Sequence, residues 1–240
     1  MSHCFFIAGA TGYTGREIAR LAATQSIETL AHVRPNSPRR VHWTEQFEHW
    51  GATATTVAWE PTALEETFRA TPPSHIFATL GTTKARTKRE QKSGNIITGY
   101  EGVDYGLTKM AYEAATTLDH PPIFIYLSSL GVDAPKRNAY LDARYRIEQQ
   151  IHQGPLPYII FRPAFITGPN RDEFRLIERA GAVVSDALFT GLAGLGVKSP
   201  KTKWGSINNT NLAKAMLKAA LDPGALNTTI SSHQIQAILG

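Results

Sequence analysis

The run Cys4-Phe5-Phe6-Ile7-Ala8-Gly9-Ala10-Thr11-Gly12-Tyr13-Thr14-Gly15 decides how the rest of the chain is read. Five apolar residues in a row suit a parallel strand covered on both faces. Three glycines follow at three-residue spacing, and an amphipathic helical pattern, Thr14–Ala23, begins among them. Each glycine has a physical reason. Gly9 permits the tight turn out of the strand, Gly12 lets backbone approach a diphosphate, and Gly15 lets helix and strand pack closely. The N–H groups and dipole at the helix start then favour phosphate. Thr11, Tyr13 and Thr14 stand between the glycines as further candidate contacts.

Outward from this unit, short β-branched or aromatic runs alternate with longer helical patterns. Expected strands are Cys4–Ala8, Thr29–Val33, Thr53–Val57, His75–Thr79, Ile123–Leu127 and Tyr158–Phe161. Expected helices are Thr14–Ala23, Ala63–Ala70, Tyr100–Leu118 and Ala139–His152. The rhythm predicts an α/β fold: a doubly wound parallel sheet with right-handed crossovers, of the Rossmann type. Past Pro163 it weakens. A Gly-rich apolar stretch, Ala180–Val197, leads to a helix at Leu212–Leu221 with Asn211 as its expected cap, and Ala225–Leu239 reads as a last strand and a closing helix. Residues 1–240 thus read as one domain, in which 164–240 supply a small substrate-side region.

Composition narrows the function classes. With 240 residues, 42% hydrophobic and 19% charged, the chain has material for a full core. A single cysteine, Cys4, excludes an internal disulfide and a cysteine-based zinc cluster; it suits a reducing compartment, so a cytoplasmic location is expected. The first apolar run is too short for a signal peptide or span, and Asp186 with four glycines argues against a bilayer helix at Ala180–Val197. Net charge is +5, and the densest basic stretch (Lys84, Arg86, Lys88, Arg89, Lys92) reads as a solvated loop, with an anion-binding role as the alternative. Without a recognition helix, zinc finger or RNA-binding signature, no nucleic-acid partner is expected. Eight scattered histidines show no ligand spacing, so no metal is expected.

The end of the second strand selects the nucleotide. An acidic residue there would hold an adenosine ribose diol, whereas arginine accommodates a 2′-phosphate. The sequence reads His32-Val33-Arg34-Pro35, with Arg39 and Arg40 close behind. Arg34 can grip a phosphate through two parallel N–H donors, so NADP is the expected cofactor. Trp59 and Glu60, after the third strand, are candidates to border the adenine, with an ordinary loop role as the alternative.

The Gly-x-x-Gly-x-x-Gly spacing is wider than the usual dinucleotide fingerprint. It resembles that of the extended and atypical short-chain dehydrogenase/reductases, and within them the NmrA-like and Tat-interacting-protein-like group. The segments Ile7–Gly15, Leu80-Gly81-Thr82-Thr83, Leu127-Ser128-Ser129, Phe161-Arg162-Pro163 and Asn211-Leu212-Ala213 carry the resemblance across residues 4–221. It implies that Leu80, Gly81 and Thr82 lie beside the nicotinamide-proximal ribose and that Pro163 borders the cofactor. It also implies a Ser…Tyr-x-x-x-Lys constellation, with the tyrosine as acid–base group and the lysine lowering its pKa.

In this chain the matching positions are Ser129, with Ser128 the alternate, Tyr140 and Arg144. Four-residue spacing puts Tyr140 and Arg144 on one helix face. Arginine keeps the charge but offers a planar fork where the family uses a compact ammonium. A literal Tyr-x-x-x-Lys, Tyr105 to Lys109, precedes the serine strand and is out of family order. Two functional readings follow. The first is an NADP-dependent oxidoreductase transferring hydride to a small, apolar carbonyl or quinone-like substrate. The alternative is a non-catalytic NADP-binding regulator or scaffold with a protein partner, which the arginine favours. On the substrate side, Phe165, Ile166, Thr167 and the Ala180–Val197 stretch are the candidates.

Overall fold

The computed structural model describes residues 3–82, 87, 98–135, 138–168 and 206–240. The main strands are β1 (Cys4–Ala8), β2 (Glu28–His32), β3 (Thr53–Thr55), β4 (His75–Ala78), β5 (Ile123–Leu127), β6 (Tyr158–Arg162) and β9 (Thr228–Ser231). They form one all-parallel sheet in the order β3-β2-β1-β4-β5-β6-β9. Strand order reverses beside β1, which makes the β1–β4 crevice the topological switch point where ligands bind in such sheets. A separate parallel pair, β7 (Ile166–Thr167) with β8 (Ile207–Asn208), stands apart from this sheet.

The continuous apolar strands serve two cores. Alternation along β1 sends Phe5 and Ile7 to one face, with Phe77, Ile125 and Phe161 from neighbouring strands. Helices α1 (Tyr13–Thr24), α2 (Arg40–His49), α6 (Asn209–Ala220) and α7 (Ser232–Leu239) cover that face. Cys4, Phe6 and Ala8 point to the other face, with Ile76, Phe124 and Tyr126. There α3 (Pro61–Ala70), α4 (Thr108–Thr116) and α5 (Ala139–Gln153) close the layer. Every β1 side chain is buried, as the opening run demanded.

The structure departs from the sequence reading at β3, which ends at Thr55, at the unexpected β7–β8 pair, and in three helices. Helix α2 was not expected, because its only buried side chains are one i, i+4 pair, Trp43 and Phe47. The helix expected from Tyr100 begins as a π-helical stretch, Tyr100–Leu107, and becomes regular only at α4. The expected cap Asn211 lies inside α6. The cap is Asn208, whose side chain accepts the Asn211 N–H at 2.7 Å, because the helix starts three residues earlier than its apolar pattern. No helix among the described residues is long and apolar enough to cross a membrane. The basic stretch Lys84–Lys92 (Thr87 apart) and the apolar stretch Ala180–Val197 lie outside the described residues.

Candidate cofactor and active site

The glycine turn is built as its sequence requires. Gly9 has φ +83°, and a Cβ there would stand 2.9 Å from the Thr79 backbone. A Cβ on Gly15 would be 2.3 Å from the Gly9 carbonyl, so only glycine lets α1 seat against the turn. Gly12 closes the turn, its N–H donating to Gly9 at 2.8 Å, and acts as N-cap of α1. No side chain caps α1 and no acidic residue occupies its first turn. The first-turn donors and the positive dipole end therefore remain for an anion. Thr11 and Tyr13 are half-buried and Thr14 is buried. From behind, α6 packs on α1. Asn209 donates to the Tyr13 carbonyl at 3.3 Å, and Thr210 reaches Glu17 at 3.3 Å.

At the end of β2, His32 is buried and its Nε2 meets the Val57 carbonyl at 3.0 Å. Burial lowers its pKa to about 4, with the Arg34 charge adding to the shift, so the ring is neutral. Arg34 is exposed two residues further along, past the strand end. Trp59 is committed to packing. It lies edge-on to His32 at 4.4 Å and donates its indole N–H to the Leu107 carbonyl.

The second cluster gathers at the ends of β4 and β5. Arg144 is 6% exposed. Its Nη2 donates to Asp104 Oδ1 at 3.0 Å, its Nη1 donates to the Leu127 carbonyl, and its Nε has no partner among the described residues. The guanidinium lies 4.6 Å from the Tyr140 ring centroid and 5.9 Å from that of Tyr126. Burial alone would lower the Arg144 pKa, but Tyr140, Tyr126 and Asp104 together hold it above its usual value. Asp104, 1% exposed, accepts the Thr82 N–H at 3.0 Å on its other oxygen. Burial raises the Asp104 pKa, while Arg144 and the Thr82 N–H pull it back. Gly81 makes room: a Cβ there would be 3.1 Å from Arg144 Nη2.

Tyr140 and Arg144 are thus brought together on α5, as the spacing predicted. Tyr140 is half-buried and meets Tyr100 edge-on at 5.3 Å. Leu80 is half-buried, Gly81 exposed and Thr82 buried at the β4 exit. Ser129 is half-buried, its hydroxyl donating at 3.4 Å to the Leu130 carbonyl, whereas Ser128 is buried and its hydroxyl has no partner among the described residues. Pro163 follows β6 and accepts the Leu130 N–H at 2.9 Å, tying the two strand ends together. The polar face of α5 continues to Glu148, fully buried, on which Arg162 of β6 donates Nε at 3.1 Å to each carboxylate oxygen.

Asp104 and Glu148 were not singled out from sequence, and Arg162 stood only within the quoted Phe161-Arg162-Pro163 segment, with no role assigned. A carboxylate inside the apolar run Val103-Asp104-Tyr105-Gly106-Leu107 was a usable signal for the first.

A family described as NAD(P)H-binding matches residues 9–223. No curated protein matches the sequence significantly. Among solved structures, the fold is similar to a Bacillus halodurans protein provisionally named an NAD-dependent epimerase/dehydratase (TM-score 0.66, 16% identity, 98% of this chain and 100% of that one). It is also similar to the Bordetella bronchiseptica enzyme WbmH in complex with NAD+ (0.64, 17%, 92% and 72%) and to AtPrR2 with NADP+ and (+)pinoresinol (0.64, 15%, 96% and 70%). At these identities the likeness concerns the fold. The family match covers the glycine cradle, the β4 exit and the α5 cluster together, and it places the chain in the NAD(P)H-binding family, in keeping with the Rossmann topology.

Proposed function

We infer that the protein is an NADP-dependent oxidoreductase that reduces a small apolar carbonyl or quinone-like compound. The observation that carries this reading is the pairing of Tyr140 with a buried cation beyond the ends of β4 and β5, beside the β1–β4 switch point. A phenol beside a guanidinium is an acid–base group in the place where this fold presents its ligands.

The residues fit a dinucleotide. The uncapped start of α1 and Gly12 suit the diphosphate, and the Gly9–Gly15 packing leaves no side chain in the way. Arg34, exposed at the β2 end with no carboxylate in the following loop, suits a 2′-phosphate. Leu80, Gly81, Thr82 and Pro163 would border the nicotinamide end. A bound reduced nicotinamide supplies hydride. The chain's own part is to hold the substrate oxygen at Ser129 and deliver a proton from the Tyr140 hydroxyl. Location in the cytoplasm belongs to the same reading, as does assignment of residues 164–240 to the substrate side.

NADPH consumption against a panel of aldehydes and quinones tests this. Tyr140→Phe should lower turnover by about two to four powers of ten while leaving NADPH affinity nearly unchanged. Equal turnover in the two proteins would place the chemistry elsewhere. NADPH binding without any turnover would favour the regulator reading, to which the arginine at position 144 lends support.

A further inference from the structure

The Asp104–Arg144 pair stands out because stability does not require it. Two buried opposite charges lose about as much in desolvation as they regain, and an apolar pair of similar size often serves as well. Yet three hydrogen bonds fix the pair: Arg144 donates to Asp104 and to the Leu127 carbonyl, and the Thr82 N–H donates to Asp104. The π-helical stretch presents Tyr100 and Asp104 four residues apart, and α5 presents Tyr140 and Arg144 at the same spacing. The two segments meet rung to rung, ring on ring and charge on charge. π-turns are concentrated at functional sites.

We propose, building on the reductase reading, that Asp104 is a positioning residue that fixes Arg144 under the Tyr140 ring and cancels its charge there, so that the site is set to give a proton rather than take one. The titratable and charged groups around Tyr140 and Arg144 among the described residues are Tyr100 and Asp104 on the π-helical stretch, Tyr126 on β5 and Glu148 on α5. Glu148 is already matched by Arg162, which leaves Asp104 and Arg144 as a neutral couple beside the phenol. Reduction of a carbonyl adds hydride at carbon and a proton at oxygen. The proton leaves the Tyr140 hydroxyl, and the phenolate recovers one from water. Alcohol oxidation runs the same atoms backwards and needs the phenolate at the outset. A bare cation would favour that phenolate; a cancelled one leaves the neutral acid that reduction consumes.

Tyrosinate absorbance of the cofactor-free protein, followed against pH, tests the charge. In Asp104→Asn one tyrosine should titrate about one pH unit or more below its wild-type midpoint, as expected for an uncancelled neighbouring cation. That displaced tyrosine should vanish in Asp104→Asn/Tyr140→Phe. Superimposable curves for wild type and Asp104→Asn overturn the proposal. Where Asp104→Asn does not fold, Asp104→Leu/Arg144→Met removes both charges at once. Cancelled charges leave its Tyr140 midpoint close to wild type, and a displacement of about a unit overturns the proposal. In turnover with substrate and cofactor both saturating, Asp104→Asn should raise the ratio of kcat for alcohol oxidation to kcat for carbonyl reduction about tenfold at neutral pH, one unit in phenol ionisation. An unchanged ratio overturns the directional half. The titration needs neither cofactor nor substrate. A protein that titrates as expected but turns nothing over therefore refutes the reductase reading and not the charge cancellation.

Discussion

In the β1–α1 turn, the candidate ligand-binding groups are backbone N–H donors, set by three glycines within a run of seven residues. On α5 they are side chains, and their partners lie far away in sequence: Asp104 is 40 positions from Arg144, and Arg162 is 14 from Glu148. The first region excludes side chains to make its site; the second buries charges to make its own. A backbone site tolerates the loss of a nearby side chain and fails when one is added. A buried charge cluster behaves the opposite way, since removing one member strands the rest.

The largest expected effect breaks the comparison on the α5 side. Arg144→Met leaves the Asp104 carboxylate buried without its cation and should cost about 3–5 kcal/mol of stability, read from urea or thermal unfolding. A variant as stable as wild type would mean that Asp104 is not held as a charged partner.

Acid sharpens the contrast. His32 and His75 are both buried, and burial lowers each pKa to about 4 from 6.5. His75 bonds the Ala220 carbonyl at 2.9 Å and Ser74 at 2.8 Å. Because the folded pKa values are depressed, the unfolded chain binds more protons between these limits. Stability is thus fully present above about pH 6.5 and declines as pH falls toward 4, by at most about 3 kcal/mol per ring. Asp104 shifts the other way, its folded pKa being raised, so acid does not weaken the fold through it. An unfolding free energy level from about pH 7 to pH 4 would contradict the neutral burial of both rings.

The smallest effect lies at the exposed edge of the cradle. Arg34→Ala should leave folding unchanged and weaken NADPH binding by about 1–3 kcal/mol, with little change for NADH. Calorimetry showing equal affinities for the two cofactors in the wild type would remove the basis for choosing NADP.

These differences also explain what could be read from the sequence. The strand–turn–helix unit was legible because every constraint on it is local: a buried strand, a tight turn and a close helix approach, all among neighbours. The Tyr140–Arg144 pair was legible because an i, i+4 spacing fixes a shared face on any helix. Asp104 shows in the sequence only as a carboxylate within an apolar run; its partner does not, because that depends on a π-helical stretch that shifts its register and on a cation in another segment. Helix α2 stayed hidden for a simpler reason: two aromatic anchors do not make a periodic stripe.

The clamp of α6 on α1 also has a kinetic side. Asn209 and Thr210 reach back 196 and 193 positions to Tyr13 and Glu17. Closing so long a loop costs entropy before any contact rewards it, and folding slows as such distant pairings accumulate. As the chain is synthesised, the glycine turn emerges well before α6, and its helix keeps a bare flank until α6 arrives. In refolding, NADPH fluorescence should therefore lag behind the return of helical circular dichroism. The signature of cofactor binding lies within one short turn, whereas the support of that turn reaches it from 196 positions away.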